Sequence, residues 1–206
     1  METRRTIVIL AGGRGSRLGH TYKPIIAFDG VPLILRVISR FTQYVNEIIV
    51  CVRDVKQVNV LARLLPCSVR LAIDVLADYG PLAGIYTGLL HSSCELTYIA
   101  PADVPHISLS TYKKLEEFVI AGYDAAIPEW PNGYVEPLIT VVRTAVATRA
   151  IKVLAKLGVR RASKLYARMH TKYVPVYYLS RDPELEFLNL NRINDLCLRG
   201  GAVKMS

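Results

Sequence analysis

Residues 10–24, LAGGRGSRLGHTYKP, gather Gly12, Gly13 and Gly15 with Arg14, Arg17 and Lys23. Glycines let backbone N–H groups approach an anion closely and take up positive φ. Guanidinium forks and a lysine ammonium supply the cationic donors that suit a triphosphate. A glycine turn carrying solvated arginines uses the same residue types, and for the glycines alone that plainer reading wins. Three cations beside them tip the balance to phosphate binding. Two familiar loops are excluded. A Walker A loop needs Gly, four residues and then Gly-Lys-Ser/Thr, which neither Gly13 nor Gly15 begins. The dinucleotide fingerprint needs a third glycine where Leu18 stands.

Asp103, in IAPADVPHI, ends an apolar run. A carboxylate there is a natural Mg²⁺ ligand, because magnesium takes one or two carboxylates together with substrate phosphates. A turn or helix-cap aspartate is the commoner use of such a residue, and both readings stand. In IDVLADYGPLAGIYTGLL, Asp74 and Asp78 flank a loop, Gly80 permits close backbone approach, and Pro81 opens a helix. That helix start can hold a ligand phosphate or be a well-capped turn, and either aspartate can accept hydrogen bonds from a nucleobase or ribose. Asn189 and Asn191 of FLNLN lie two apart, which on a strand end turns both side chains to one face; Asn191 serves equally as a helix cap. Cys51, His20, His91, His106 and His170 form no nucleophile–base pair. A nucleophile that is already a phosphate anion needs no general base. Positioning, Mg²⁺ and cations around a departing pyrophosphate suffice, so the inventory suits nucleotidyl transfer.

The elements that must place these residues alternate. Strands are expected at 6–11, 47–52, 68–73, 96–101 and 124–128, and helices at 32–41, 55–65, 81–90 and 109–121, the last capped by Ser108 or Ser110. After Pro128 the rhythm changes. EWPNGYVEPLITVVR reads as a turn and an antiparallel strand, 144–157 as a helix and 173–178 as a strand. EFLNLNRINDLCLRG reads as a short strand and a helix beginning near Asn191. The expectation is an α/β fold in a single domain over 1–206: a doubly wound, mostly parallel sheet with a small mixed C-terminal half. Segments 12–19, 53–54, 74–81 and 103–105 each follow a strand. They should share the edge at which such sheets bind ligands.

Bulk properties agree. At 51% hydrophobic and 21% charged residues the chain is too apolar for disorder. No apolar stretch reaches membrane-spanning length, and the start lacks a signal peptide's apolar region and cleavage site. Cys51, Cys67, Cys94 and Cys197 are scattered, which argues for buried thiols in a reducing cytoplasm and against zinc or disulfides. A net charge of +9 asks for anionic partners. The basic residues are dispersed, with short pairs only at Arg4-Arg5 and Arg160-Arg161 and no interleaved aromatics, which argues against nucleic acid and a nucleic-acid-binding regulator.

In order and spacing, LAGGRGSRLG…K, DVLADYGPLAGIYTGL, PADVP and FLNLN…DL resemble the MobA family of molybdenum cofactor guanylyltransferases over residues 6–199. The first motif marks the nucleotidyltransferase superfamily; DYGPLAG is specific to MobA-type enzymes. The resemblance implies a Rossmann-like fold and Mg²⁺-dependent transfer of GMP from GTP to molybdopterin or Mo-molybdopterin, with pyrophosphate released. It also implies molybdoenzyme chaperones or other cofactor-biosynthesis proteins as partners. By motif, Leu10, Ala11, Gly12, Gly13 and Gly15 would lie at the guanine and phosphates, and Arg17 and Lys23 at the triphosphate. Asp74 and Gly80 would lie at the nucleotide, Asp103 at Mg²⁺, and Asn189 and Asn191 on the pterin side. The chain departs from the family twice: Cys51-Val52-Arg53 replaces an asparagine-rich NAN, and the proline of NTPEDL is missing from residues 191–196. A sugar phosphate or adenosylcobinamide phosphate acceptor fits KPIIAFDGVPL equally well. DYGPLAG points away from both, and Gly12, where related cytidylyltransferases carry LAAG, points to guanine.

Overall fold

A computed structural model describes residues 3–13, 22–76 and 78–190. β1 (Arg5–Leu10) is the first strand. A 3₁₀ turn at Lys23–Ile25 precedes a small hairpin of β2 (Ala27–Phe28) and β3 (Val31–Pro32). Asp29 and Gly30 form its tip with φ of 49° and 76°, the left-handed pair that a type I′ turn requires. α1 (Leu33–Phe41) buries Leu33, Ile34, Val37, Ile38 and Phe41 along one stripe. Strand and helix then alternate through β4 (Glu47–Val52), α2 (Val55–Leu61), β5 (Val69–Ile73), α3 (Pro81–His91), β6 (Leu96–Pro101), α4 (Leu109–Ile120) and β7 (Ala125–Glu129). β8 (Thr140–Arg143), α5 (Thr144–Lys156), α6 (Ser163–Tyr166), β9 (Thr171–Pro175), α7 (Val176–Leu179) and α8 (Pro183–Glu186) follow.

All strands except the hairpin join one seven-stranded sheet in the order β5-β4-β1-β6-β8-β7-β9. Among them only β8 runs against the rest, pairing antiparallel with β6 and β7. The sheet is therefore mostly parallel and doubly wound, with a mixed C-terminal part. The chain steps outward from β1 to β4 and β5, then crosses back to β6 on the other side of β1. Strand order reverses between β1 and β6, the place where such sheets open a ligand crevice.

Alternation along the strands sends side chains to two cores. Ile7, Ile9, Val50 and Tyr98 meet Phe41, Leu61 and Tyr112 from α1, α2 and α4 on one face. On the other, Ile99, Ile127 and Val142 meet Leu82, Ile151 and Leu165 from α3, α5 and α6. No helix among the described residues is long and apolar enough to cross a membrane. α3 lies so close to β1 that a Cβ added at Gly88 would overlap the γ-carbons of Val8. Alanine gains about 1 kcal/mol of helix propensity over glycine, whereas overpacking costs about 1–3 kcal/mol. With three Val8 carbons inside 3.0 Å of that Cβ the upper end of the cost applies, and Gly88→Ala is expected to lower the melting temperature by several degrees, at about 2–4 °C per kcal/mol. An unchanged melting temperature in a thermal scan would refute this tight seating.

Three segments differ from the sequence expectation. α2 ends at Leu61, not at residue 65. The Leu64 and Leu65 amides both turn back to the Leu61 carbonyl, at 2.9 Å each, and Pro66 disfavours a helical Leu65. Residues 173–178 are half strand and half helix: Pro175 has no N–H to continue the ladder, and buried Val176 and Leu179 anchor α7. Residues 187–190 form no strand. Phe187 and Leu190, three apart, are both buried, and the Leu190 amide bonds to the Asp103 carbonyl at 3.1 Å. The helix expected near Asn191 lies outside the described residues.

Candidate active site

The carboxyl ends of β5, β4, β1 and β6 open on a cleft of about 690 Å³. Along this edge the groups come in the order Asp74, Arg53, Gly12 and Gly13, then Asp103, with Lys23 reaching in from the 3₁₀ turn. Leu10 and Ala11 form the floor, and Gly80 starts α3 at the rim. Gly80 has φ 57° and ψ −143°, a conformation open to glycine, and Pro81 then takes the first helical position. α3 thus begins at the cleft, with its N-terminal amides along the rim.

The loop after β1 is held from outside. The Ala11 amide bonds to the Cys51 carbonyl at 2.8 Å, and the Tyr22 hydroxyl donates to the Ala11 carbonyl at 2.8 Å. Burial, helped by the nearby Asp54 and Asp74 charges, raises the Tyr22 phenol well above its ordinary value, so it stays a donor. Gln57 makes a second latch. Its amide nitrogen donates to the Gly13 carbonyl at 3.2 Å, and its side-chain oxygen accepts from the Arg53 N–H at 2.8 Å. Asp54 caps α2 by accepting from the Gln57 N–H at 3.0 Å. A Cβ at Gly12 would stand 3.2 Å from Asp74 Oδ2 and 3.3 Å from the Arg53 nitrogen, so the chain itself has no room there. A Cβ at Gly13, which lines the cleft, would meet nothing within 4 Å.

Asp74 stands out electrostatically. Its Oδ1 is buried without a hydrogen-bond partner, and burial pushes the carboxyl up to about 6. A buried unsatisfied acceptor costs about 1–3 kcal/mol, a penalty that a ligand N–H would relieve. At the other end of the cleft, Lys23 Nζ pairs with Asp103 Oδ2 at 3.3 Å. Asp103 caps no helix; α4 is capped by Ser108, which accepts from the Thr111 N–H at 3.2 Å. No group of three or more His, Cys, Asp or Glu side chains gathers among the described residues. A lone carboxylate such as Asp103 is compatible with the one or two that Mg²⁺ takes together with substrate phosphates.

The structure thus brings Leu10, Ala11, Gly12, Gly13, Lys23, Asp74, Gly80 and Asp103 to one cleft. Gly15, Arg17 and Asn191 lie outside the described residues. Asn189 is half-buried beside Leu190 and is not among the residues that line the cleft. Sequence reading missed Gln57, Tyr22 and Leu138. Asp54-x-x-Gln57 carries the spacing of a helix capping box, which was signal enough for Gln57. Tyr22 and Leu138 reach the site only through tertiary folding.

Known proteins share both sequence and fold. A "Probable molybdenum cofactor guanylyltransferase" of Methanosarcina mazei is 31% identical over 198 residues, covering 93% of this chain and 88% of the relative. A "Molybdenum cofactor guanylyltransferase" of Vibrio vulnificus is 29% identical over 198 residues, covering 92% and 91%. Molybdopterin-guanine dinucleotide biosynthesis protein A from Archaeoglobus fulgidus shares the fold at a TM-score of 0.75, with 24% identity over 94% of this chain and 95% of that one. The family model for the MobA-like NTP transferase domain matches residues 7–172, a span that takes in Gly12, Lys23, Asp74 and Asp103, and it is to this family that the chain belongs.

Proposed function

We propose that the chain transfers GMP from GTP to molybdopterin, or to its molybdenum-loaded form, and releases pyrophosphate. The observation that carries this reading is the order of groups along the sheet edge: a donor-seeking carboxylate, a glycine cradle, then a lysine–aspartate pair. The names carried by the relatives support the same reaction.

Each residue then has a task. Guanine presents N1–H and a 2-amino group, two donors that Asp74 can accept, whereas adenine offers no donor at N1. Arg53, at the same end of the cleft, carries donors of the kind that read guanine's O6 and N7. Gly13 leaves its backbone open to the phosphates. Asp103 would hold Mg²⁺, which when bound neutralises charge on the phosphate chain. Lys23 orients the Asp103 carboxylate and brings an ammonium to the departing pyrophosphate. A terminal phosphate oxygen of the acceptor attacks the α-phosphorus. A new P–O bond forms, the bond from the α-phosphorus to the bridging oxygen breaks, and its electron pair leaves with pyrophosphate. The nucleophile is already anionic, so no side chain has to remove a proton. Cys51, Cys67 and Cys94 are free thiols, which fits a cytoplasmic setting.

Incubation with GTP, Mg²⁺ and molybdopterin should yield the guanine dinucleotide and pyrophosphate, identified by mass. A product formed only with a sugar phosphate or adenosylcobinamide phosphate would overturn the acceptor. In thermal scans with Mg²⁺, GTP should raise the melting temperature clearly more than CTP, ATP or RNA, and equal shifts would remove the case for guanine.

A further inference from the structure

Beyond Asp103 the edge of the sheet continues, and another set of contacts begins there. β8, β7 and β9 lie on the side of β6 away from Asp74, so residues at their cleft-side ends flank Asp103 where the acceptor must enter. The loop from β7 to β8 is tightly folded. Glu129 bridges to Val135, and the Trp130 amide bonds to the Tyr134 carbonyl at 2.7 Å. The Trp130 indole N–H donates to Glu136 Oε1 at 2.8 Å, and Glu136 is only 9% exposed. The same loop supplies Leu138 to the wall of the cleft.

Held in this way, the indole meets Phe187 edge-on, with centroids 6.1 Å apart, and Tyr177 at 6.5 Å. Phe187 is buried at the start of segment 187–190, whose Leu190 amide bonds to the Asp103 carbonyl. A continuous series of contacts therefore runs from Glu136 through Trp130 and Phe187 to the backbone of Asp103. Among the described residues, Glu136, Trp130 and Phe187 do not line the Gly12–Asp74 end of the cleft.

We propose that Trp130, fastened by Glu136, is a positioning residue for the acceptor: it fixes segment 187–190 and Leu138 around Asp103, on the side opposite the nucleotide. The inference rests on the reaction proposed above. Glu136 is the fastener because it is the buried acceptor of the indole N–H. An aromatic ring without that hydrogen bond still packs on Phe187 but is no longer fastened, whereas a glutamine at 136 still offers an oxygen.

The test is steady-state transfer with GTP and molybdopterin varied separately, accompanied by GTP binding. Trp130→Ala should raise the KM for molybdopterin about tenfold or more while leaving GTP affinity within about twofold. Glu136→Leu should reproduce that pattern, and so should Trp130→Phe, which keeps the ring but loses the N–H, whereas Glu136→Gln should keep most of the acceptor affinity. Trp130 is the single tryptophan of the chain, so the unmodified protein carries its own reporter. Its emission should change when molybdopterin is added and stay constant with GTP alone. Equal losses toward both substrates, or an unchanged KM for molybdopterin in Trp130→Ala, would overturn the positioning role and leave the transfer reaction standing. Emission that ignores molybdopterin during active turnover would do the same. Failure of the wild-type protein to form product would instead overturn the functional reading, and this inference with it.

Discussion

Asp103→Ala is expected to reduce GMP transfer about a thousandfold while leaving the folded structure intact. Two magnitudes separate the outcomes. The Lys23–Asp103 pair spans 3.3 Å, and its side chains are 17% and 25% exposed, so solvent screens it. Partly exposed pairs of this kind contribute about 1 kcal/mol or less, a change of only a few degrees in melting temperature. Removing one charged group that acts on the developing transition-state charge costs about 3–4 kcal/mol, two to three powers of ten in rate. The hydrogen bond from Leu190 reaches the backbone carbonyl of Asp103, so it survives the substitution and segment 187–190 keeps its tie. Product mass under single-turnover conditions, with a thermal scan of the same sample, reads both quantities. Retained transfer would place the metal ligand elsewhere. Lost transfer together with a collapsed melting temperature would make Asp103 a structural residue.

How well the sequence served depended on the range over which each residue acts. Ile7, Ile9 and Val50 sit on strands whose period and length are local properties, so the alternation of strands and helices was legible before any contact was known. Gly12, Asp74 and Asp103 were legible because each directly follows such a strand, and parallel strands bring their carboxyl ends to one edge. Residues 173–178 misled because valines and tyrosines favour strands; Pro175 and the burial of Val176 and Leu179 decided otherwise. The strand expected around Asn189 failed for a related reason. A two-residue spacing implies one face only within a strand, and 187–190 forms no strand. Tyr22 acts through the main-chain carbonyl of Ala11, and a carbonyl partner leaves no mark on residue type. Trp130 was invisible as a positioning group because its partners, Phe187 and Glu136, come together only after β7, β8 and β9 are assembled.

Asp74→Asn is expected to move stability and nucleotide affinity in opposite directions. In the folded protein the carboxyl titrates near 6, above its ordinary value of 3.8, because burial disfavours the charge. The folded state therefore holds the proton more tightly than the unfolded chain. Its contribution to stability is fully present below about pH 4 and is lost as pH rises through about 6, so at pH 7 the ionised carboxylate is a net cost. Allowing for partial solvent screening, that cost is on the order of 1–2 kcal/mol. Asparagine abolishes it, so the unliganded variant should melt several degrees higher than wild type at pH 7, at about 2–4 °C per kcal/mol. The same substitution replaces a charged acceptor with a neutral one whose amide carries donors of its own. Hydrogen bonds to charged groups contribute about 1.5–3 kcal/mol, so GTP should bind roughly ten- to a hundredfold more weakly. Wild-type affinity for GTP should also fall about tenfold for each pH unit below 6, while the variant stays flat. Ordinary structural damage lowers stability and binding together, and a simple surface change moves neither. A variant that is more stable when empty, weaker toward GTP and indifferent to pH between 5 and 7 is the signature of a carboxylate kept buried and ionised for the nucleobase. Lower stability of the empty variant at pH 7 would show that Asp74 serves the fold instead.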